Sequence, residues 1–141
     1  MGQQQLLLLV LGIVIVGLAV VVGIQAFSEN QKKANADALV NDAIRIASDA
    51  QAWKLKPAAF GGGADATNWT GLTFQQLGYE TTDDVNTYEN LNGKFVMSDQ
   101  TETTLTITAT NTETGNQVVV EVSGTKPSDI TTTVSNLTSS P

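Results

Sequence analysis

The chain has no cysteine and no histidine. Those two absences exclude disulfides, thiolate nucleophiles, zinc sites of the usual kind and imidazole acid–base chemistry. The head folds without covalent staples. Proline is scarce, and no Pro or Gly lies between Ile24 and Lys56, so nothing there breaks a helix. Charge is missing from the start, with no acidic or basic residue before Glu29. Basic residues are rare at the other end. Residues 57–141 hold two (Lys94, Lys126) against ten acidic, net −8, whereas residues 28–56 hold five basic and four acidic, net +1. An acidic head argues against nucleic acid as a partner, because phosphate binding needs clustered Lys and Arg. No catalytic constellation and no cofactor motif is present, so neither an enzyme nor a bound cofactor is expected.

What the chain does have is an apolar run. The nineteen residues from Leu6 to Ile24 carry no charged or polar side chain. As a helix they rise roughly 28 Å, enough to cross a hydrocarbon core of about 30 Å. A cleaved secretory signal fits poorly. Met1 to Gln5 contain no Lys or Arg, the run exceeds the usual span of about 7–15 residues, and bulky Ile24 precedes the best cleavage point, after Ala26. A core helix of a soluble domain fits worse, since the remaining chain is too small to surround it. The run therefore reads as one membrane-spanning helix carrying a modest folded head in a chain of 141 residues.

After Ser28 the pattern becomes amphipathic. Ala36, Leu39, Val40, Ala43, Ile44, Ala47, Ala50 and Trp53 recur at spacings of three and four. One long helix is expected from about Gln3 to about Lys56, with Lys54 and Lys56 suiting its negative end and Pro57 marking its stop. Gly12, Gly17 and Gly23 interrupt the apolar half. Their spacings of five and six miss the small-xxx-small dimer motif. Two readings stand beside each other: ordinary membrane-helix glycines, or points of close packing and local unwinding.

Threonine divides the chain, with none in the first 50 residues and 19 in residues 51–141. Residues 57–93 read as an irregular connection opened by Pro57 and Gly61-Gly62-Gly63. It holds a turn at Asn68-Trp69-Thr70-Gly71 and one short helix capped by Thr73 and Gln76 and closed by Gly78. Trp53, Trp69 and the nearby rings are expected to pack in the core rather than stack on a ligand. From Lys94 the period becomes two. Phe95 and Met97, then Leu105, Ile107 and Ala109, then Val118, Val120 and Val122 each line one face. Connections at Asp99–Glu102 and Asn111–Asn116 make these a three-stranded antiparallel meander; the Thr- and Ser-rich tail from Lys126 to Pro141 either adds an edge strand around Ile130–Val134 or frays. Three strands need a covering layer, and the helix face from Ala36 to Trp53 supplies it. The expected fold class is thus α+β: a long N-terminal helix packed against a small three- to four-stranded antiparallel sheet. The segments are 1–2, a short leader; 3–27, the transmembrane or filament-core half of the helix; 28–56, its amphipathic half; 57–93, the connection; and 94–141, the meander and tail.

Met1-Gly2, then Gln3-Gln4-Gln5-Leu6-Leu7-Leu8-Leu9, an unbroken apolar helix, an amphipathic continuation, a glycine-bearing loop and a small antiparallel sheet resemble a type IV pilin or pilin-like protein. In architecture the resemblance covers the chain; in sequence it covers about the first 27 residues. It implies cleavage by a prepilin peptidase after Gly2, with Gln3 as the mature N-terminus. It also implies packing of the apolar helices as a filament core, with Leu6, Leu7, Leu9, Val10, Ile13, Val14, Gly17, Leu18, Val21 and Ile24 as assembly residues. Two departures stand out. Where the family usually has Glu at mature position five this chain has Leu7, so an acidic side chain cannot pair with a neighbouring amine. The leader is only Met1-Gly2 and lacks basic residues. Lys32 and Lys33 lie just past the span and by the positive-inside rule alone would face the cytoplasm; the pilin pattern instead puts the head outside.

The expectation is a structural protein, a subunit of a type IV pilus-like extracellular filament. Its partners would be copies of itself, the inner membrane before assembly, the prepilin peptidase and the assembly machinery. The alternatives are a pseudopilin of a secretion system and a single-pass membrane-anchored binding protein that never polymerises. Lesser site expectations are Ca²⁺ at Asp83 and Asp84 with Asp65 or Glu80, against which a solvated acidic loop is favoured, and N-glycosylation at Asn68 and Asn136.

Overall fold

A computed structural model describes residues 2–62, 69–82 and 84–136, with the side chains of residues 58 and 136 left aside. The first element is a single helix, α1, Gly2–Leu55. Its end is tight: the Lys56 N–H reaches the carbonyls of Ala52 at 3.0 Å and Trp53 at 3.2 Å. A short 3-10 turn, Ala58–Phe60, follows. The chain divides into two compact units, residues 1–33 and residues 34–141.

The second unit is the head. Five strands form one antiparallel meander: β1 Thr87–Glu89, β2 Lys94–Ser98, β3 Leu105–Thr110, β4 Asn116–Val122 and β5 Ile130–Asn136, in spatial order one to five. The α+β class and the meander are as the alternation requires, but the sheet has five strands rather than three to four. Ile130–Asn136 is a full strand paired along β4 from Val122↔Ile130 to Asn116↔Asn136. β1 lies inside the stretch expected to be irregular; three residues are too few to display a period of two.

The core is one cluster. Leu39, Ala43, Ile46, Ala47, Ala50 and Trp53 of the helix meet the inward residues of β2, β3 and β4 together with Trp69, Leu72 and Phe74. The alanines leave room for the sheet to approach the helix, and the β-branched strand residues fill the pleat. The helix phase differs by one position from the expected stripe. Ile46 is 1% exposed whereas Ile44 is 37% exposed. The apolar spacing admits either isoleucine, and the sheet's position selects the one nearer the line through Leu39, Ala43 and Ala50.

The short helix expected at Thr73–Gly78 is a single turn. Both capping-box bonds form: the Gln76 N–H donates to Thr73 Oγ1 at 3.4 Å, and the Thr73 N–H donates to Gln76 Oε1 at 3.0 Å. The C-terminal signal follows at once. Gly78 takes φ +85, its N–H bonds the Gln75 carbonyl at 3.1 Å, and the Tyr79 N–H bonds the Phe74 carbonyl at 3.0 Å. A start signal joined directly to a stop signal leaves no residues for propagation. Asn68, which opens the turn expected at Asn68–Gly71, lies outside the described residues; the turn that is described runs one residue later, Trp69–Leu72, closed by Leu72 N–H to the Trp69 carbonyl at 3.3 Å with Gly71 at φ +88. Tyr79, Tyr88, Phe74 and Phe95 form a cluster of edge-to-face and tilted ring contacts, with centroids 4.9–5.9 Å apart, that carries this connection onto the core.

Candidate functional site: the uncovered apolar helix

The first unit has no core of its own. Sixteen large apolar side chains, fifteen between Leu6 and Ile24 and then Phe27, are each more than half exposed. An 18-residue window of this helix reaches a mean hydropathy of 3.2 with none of it buried, so it is long and apolar enough to cross a membrane. Keeping those side chains in water rather than in an apolar medium costs on the order of 20 kcal/mol. That exceeds the ~5–15 kcal/mol net stability of a whole domain. The segment must therefore be covered.

Every expected assembly residue (Leu6, Leu7, Leu9, Val10, Ile13, Val14, Gly17, Leu18, Val21 and Ile24) lies on this exposed helix. At about 100° per residue they fall within one half of the circumference; exposed Leu8, Leu11, Ile15 and Val22 occupy the other half, so the apolar surface as a whole goes all round, as suits a helix surrounded by lipid or by several neighbours. Gly2 and Gln3 are its first two described residues, both exposed. The helix runs unbroken through Gly12, Gly17 and Gly23, and nothing stands within 4 Å of where a Cβ would be at any of them. At about 100° per residue, Gly12, Ala19 and Gly23 fall within about 20° of one line, while Gly17 points about 140° away. Ala19 and Gly23 make a small-xxx-small pair. Counting glycines alone hides it; including alanine reveals it. Beside Gly12 a shallow apolar notch is lined by Leu8, Leu9, Ile13 and Val16.

The head, by contrast, is tied to its own stretch of helix by half-buried polar contacts. Asn35 is the hub at one end. Its Nδ2 donates to the Asn92 carbonyl at 2.9 Å, and its Oδ1 accepts from Thr114 Oγ1 at 2.8 Å and from Asn116 Nδ2 at 3.1 Å. Two turns on, Asp42 Oδ2 accepts from Asn92 Nδ2 at 2.7 Å and Asn90 Nδ2 at 3.1 Å. Gly93 allows the close approach: a Cβ there would lie 2.5 Å from the Thr110 carbonyl oxygen and 2.8 Å from Leu39 Cδ2. At the far end buried Gln51 donates from Nε2 to the carbonyls of Gly124 at 2.9 Å and Lys126 at 2.8 Å. None of these residues stood out in the sequence. Their partners lie about 50–80 positions away, beyond the reach of any local pattern.

The lesser site expectations fare unevenly. Asp84 forms a turn, its Oδ1 accepting from the Asn86 N–H at 3.1 Å and its carbonyl from the Thr87 N–H at 2.9 Å. Asp83, Asp65 and Asn68 lie outside the described residues, and Asn136 is described only as the last residue of β5. Among the described residues no three acidic side chains converge on a common point. One hollow of the head lies between Arg45, Asp49, Tyr79, Tyr88 and Glu89 and is open to solvent. There the Tyr79 hydroxyl donates to Asp49 Oδ2 at 2.5 Å. Burial, and then this bond to a carboxylate, hold the phenol well above its usual range of ionisation.

The exposed stretch of helix presents apolar side chains to whatever covers it, and the Asn35 and Gln51 hydrogen bonds tie the head to its own stretch of helix. No family model, curated protein or solved structure matches this chain.

Proposed function

We propose that this protein is the structural subunit of a type IV pilus-like filament, polymerising through Leu6–Phe27. The observation that carries the reading is the uncovered apolar helix at the N-terminal side of a compact head. Such a helix is equally at home in lipid and among copies of itself. Moving it from one to the other exchanges one apolar surrounding for another, so the hydrophobic cost of leaving the membrane is offset by helix–helix packing. Contacts between unlike surfaces of identical subunits extend into open helices rather than closing. The small side chains at Gly12, Ala19 and Gly23 give neighbouring backbones a line of close approach.

Leu7 at the position where the family has Glu removes one charge pair from assembly. In this subunit, register comes from shape, from the notch beside Gly12 and from the rigid head. The prepilin reading adds cleavage after Gly2, a head outside the cell and residence in the inner membrane before assembly.

The test is the intact mass and N-terminal residue of the native protein, taken separately from membranes and from sheared cell-surface material. A chain starting at Gln3 and abundant in the sheared fraction is the expected result. A chain retaining Met1 and confined to membranes would instead make this an anchored, non-polymerising head.

A further inference from the structure

The two edges of the sheet are finished differently. β1 is three residues long, carries Glu89, and its outer side is met by Thr81, which bridges to Tyr88. Short length, charge and a covering segment are the usual protections of a sheet edge. β5 has none of them. It is seven residues, Ile130–Asn136, without charge or proline, and it pairs with β4 on one side only among the described residues. Thr131 to Ser135 are all exposed. Val134 lies opposite fully buried Val118, on the core-side face of the sheet, yet is itself 52% exposed. The helix that covers Val118 does not cover Val134.

We propose that β5 is an interaction edge that pairs antiparallel with β5 of a second copy of this chain. The occupant follows from self-complementarity. A neutral strand brings no like charges opposite each other when it meets itself, whereas the charged and bridged β1 edge offers no continuous ladder to pair with. A two-fold at Thr132 sets Ile130 against Val134 of the second copy on the core-side face, so each covers the other's exposed methyl groups. On the outer face it sets Thr131 against Thr133. Repulsion between the acidic heads is weak at this seam. Asp129, just before β5, would stand opposite Ser135 of the second copy, six residues and about 20 Å along the strand from the other Asp129; Glu121 lies on β4, and the two β4 strands would stand about 14 Å apart, three interstrand spacings, so both separations exceed a screening length of about 8 Å. Such a contact is isologous and closes on itself. It joins two heads, and through them two filaments or two membrane-anchored copies, and it does not depend on the filament reading.

The absence of native cysteine makes the test direct. Single-cysteine variants of the full chain, Thr131→Cys, Thr132→Cys, Thr133→Cys and Ser135→Cys, are held in detergent micelles, where the apolar helix is covered, and oxidised mildly. Glu113→Cys, exposed in the β3–β4 connection, is the control. Antiparallel partners near a two-fold come within disulfide reach only close to the axis. Disulfide-linked dimer should form several-fold above the control at Thr132 or its immediate neighbours and fall away towards Ser135. Adding Val134→Lys to Thr132→Cys should return the yield to the control level. Equal yields at every position, or a raised yield that survives Val134→Lys, would overturn the proposal. So would a yield at the control level throughout, the result expected if another segment of the same chain covers β5. Failure of the β5 pairing leaves filament formation untouched, and absence of filaments leaves the pairing standing.

Discussion

Residues 6–27 and 34–55 belong to one continuous helix and are stabilised in opposite ways. The first stretch is apolar all round and leaves its large side chains exposed; the second is apolar on one face and buries Leu39, Ala43, Ile46, Ala47, Ala50 and Trp53. Backbone conformation is the same, so the difference lies entirely in the surroundings each stretch requires. The second half carries its solvent-excluding layer in the same chain. The first must find one elsewhere, in lipid or in other subunits. Identical secondary structure thus leads to a folding problem at one end and a problem of finding an apolar surrounding at the other.

The same truncation at the two sites should separate those problems most sharply. Leu39→Ala removes a fully buried side chain and should destabilise the head by about 2–5 kcal/mol. Leu11→Ala removes an exposed one and should leave head unfolding unchanged. Denaturant titration of the full chain in detergent, followed by fluorescence, checks both, because both tryptophans (Trp53 and Trp69) lie in the head core. A comparable loss from Leu11→Ala would mean that the first stretch contributes to the head after all.

A charge tests the reverse dependence. Val14→Arg places a cation near the middle of the apolar run and should oppose membrane insertion by about 2.5–3.5 kcal/mol. Ile44→Arg, on the outward side of the second half, should change neither insertion nor head stability appreciably. Partition between membrane and soluble fractions reads the first, and the unfolding midpoint reads the second. Were Ile44→Arg as damaging as a core substitution, the helix phase that turns Ile46 inward and Ile44 outward would be wrong.

Next in size is Gln51→Ala, which strips the donor from the Gly124 and Lys126 carbonyls and should cost about 1–3 kcal/mol. Gln4→Ala, in the exposed first turn, is its counterpart and should cost the head nothing. Equal unfolding midpoints for the two variants would show that the tie at the far end of the head is dispensable.

How much of the molecule is legible in the sequence follows the range of each signal. The apolar run, the amphipathic continuation and the alternation of β2, β3 and β4 are local patterns, and each reads correctly. The turn at Trp69–Leu72 and the capping bonds of Thr73 and Gln76 are local too, although the nearness of Gly78 reduces the expected helix to one turn. Ile44 and Ile46 fit the same periodic pattern, and only the position of the sheet decides between them. The Asn35 and Asp42 clusters and the Gln51 tie are invisible in principle, since polar residues in a helix read as solvent-facing until distant loops fold over them. The uncovered helix as a candidate site is wholly legible; what covers it is not, because that surface belongs to other molecules.

The smallest expected effect concerns Tyr79, part of the contact that brings the connecting segment against the second half of the helix through Asp49. Burial, then the hydrogen bond and the negative charge of Asp49, raise the energy of the phenolate, so the phenol ionises less readily in the folded head than in the unfolded chain. The sign of the linkage follows. The contribution is fully present below the ordinary tyrosine range of about pH 10 and is lost as pH climbs above it, because there the unfolded chain releases the proton first. Head stability should therefore decline with pH above that point more steeply in the native chain than in Tyr79→Phe, which has no proton to lose. Phenolate absorbance gives an independent readout: Tyr79 should titrate only as the head unfolds. A Tyr79→Phe variant with the same alkaline slope as the native chain would place that sensitivity elsewhere and reduce the Tyr79–Asp49 contact to simple packing. The apolar half, which has no titratable side chain before Glu29, should show no change in membrane partition over the same range.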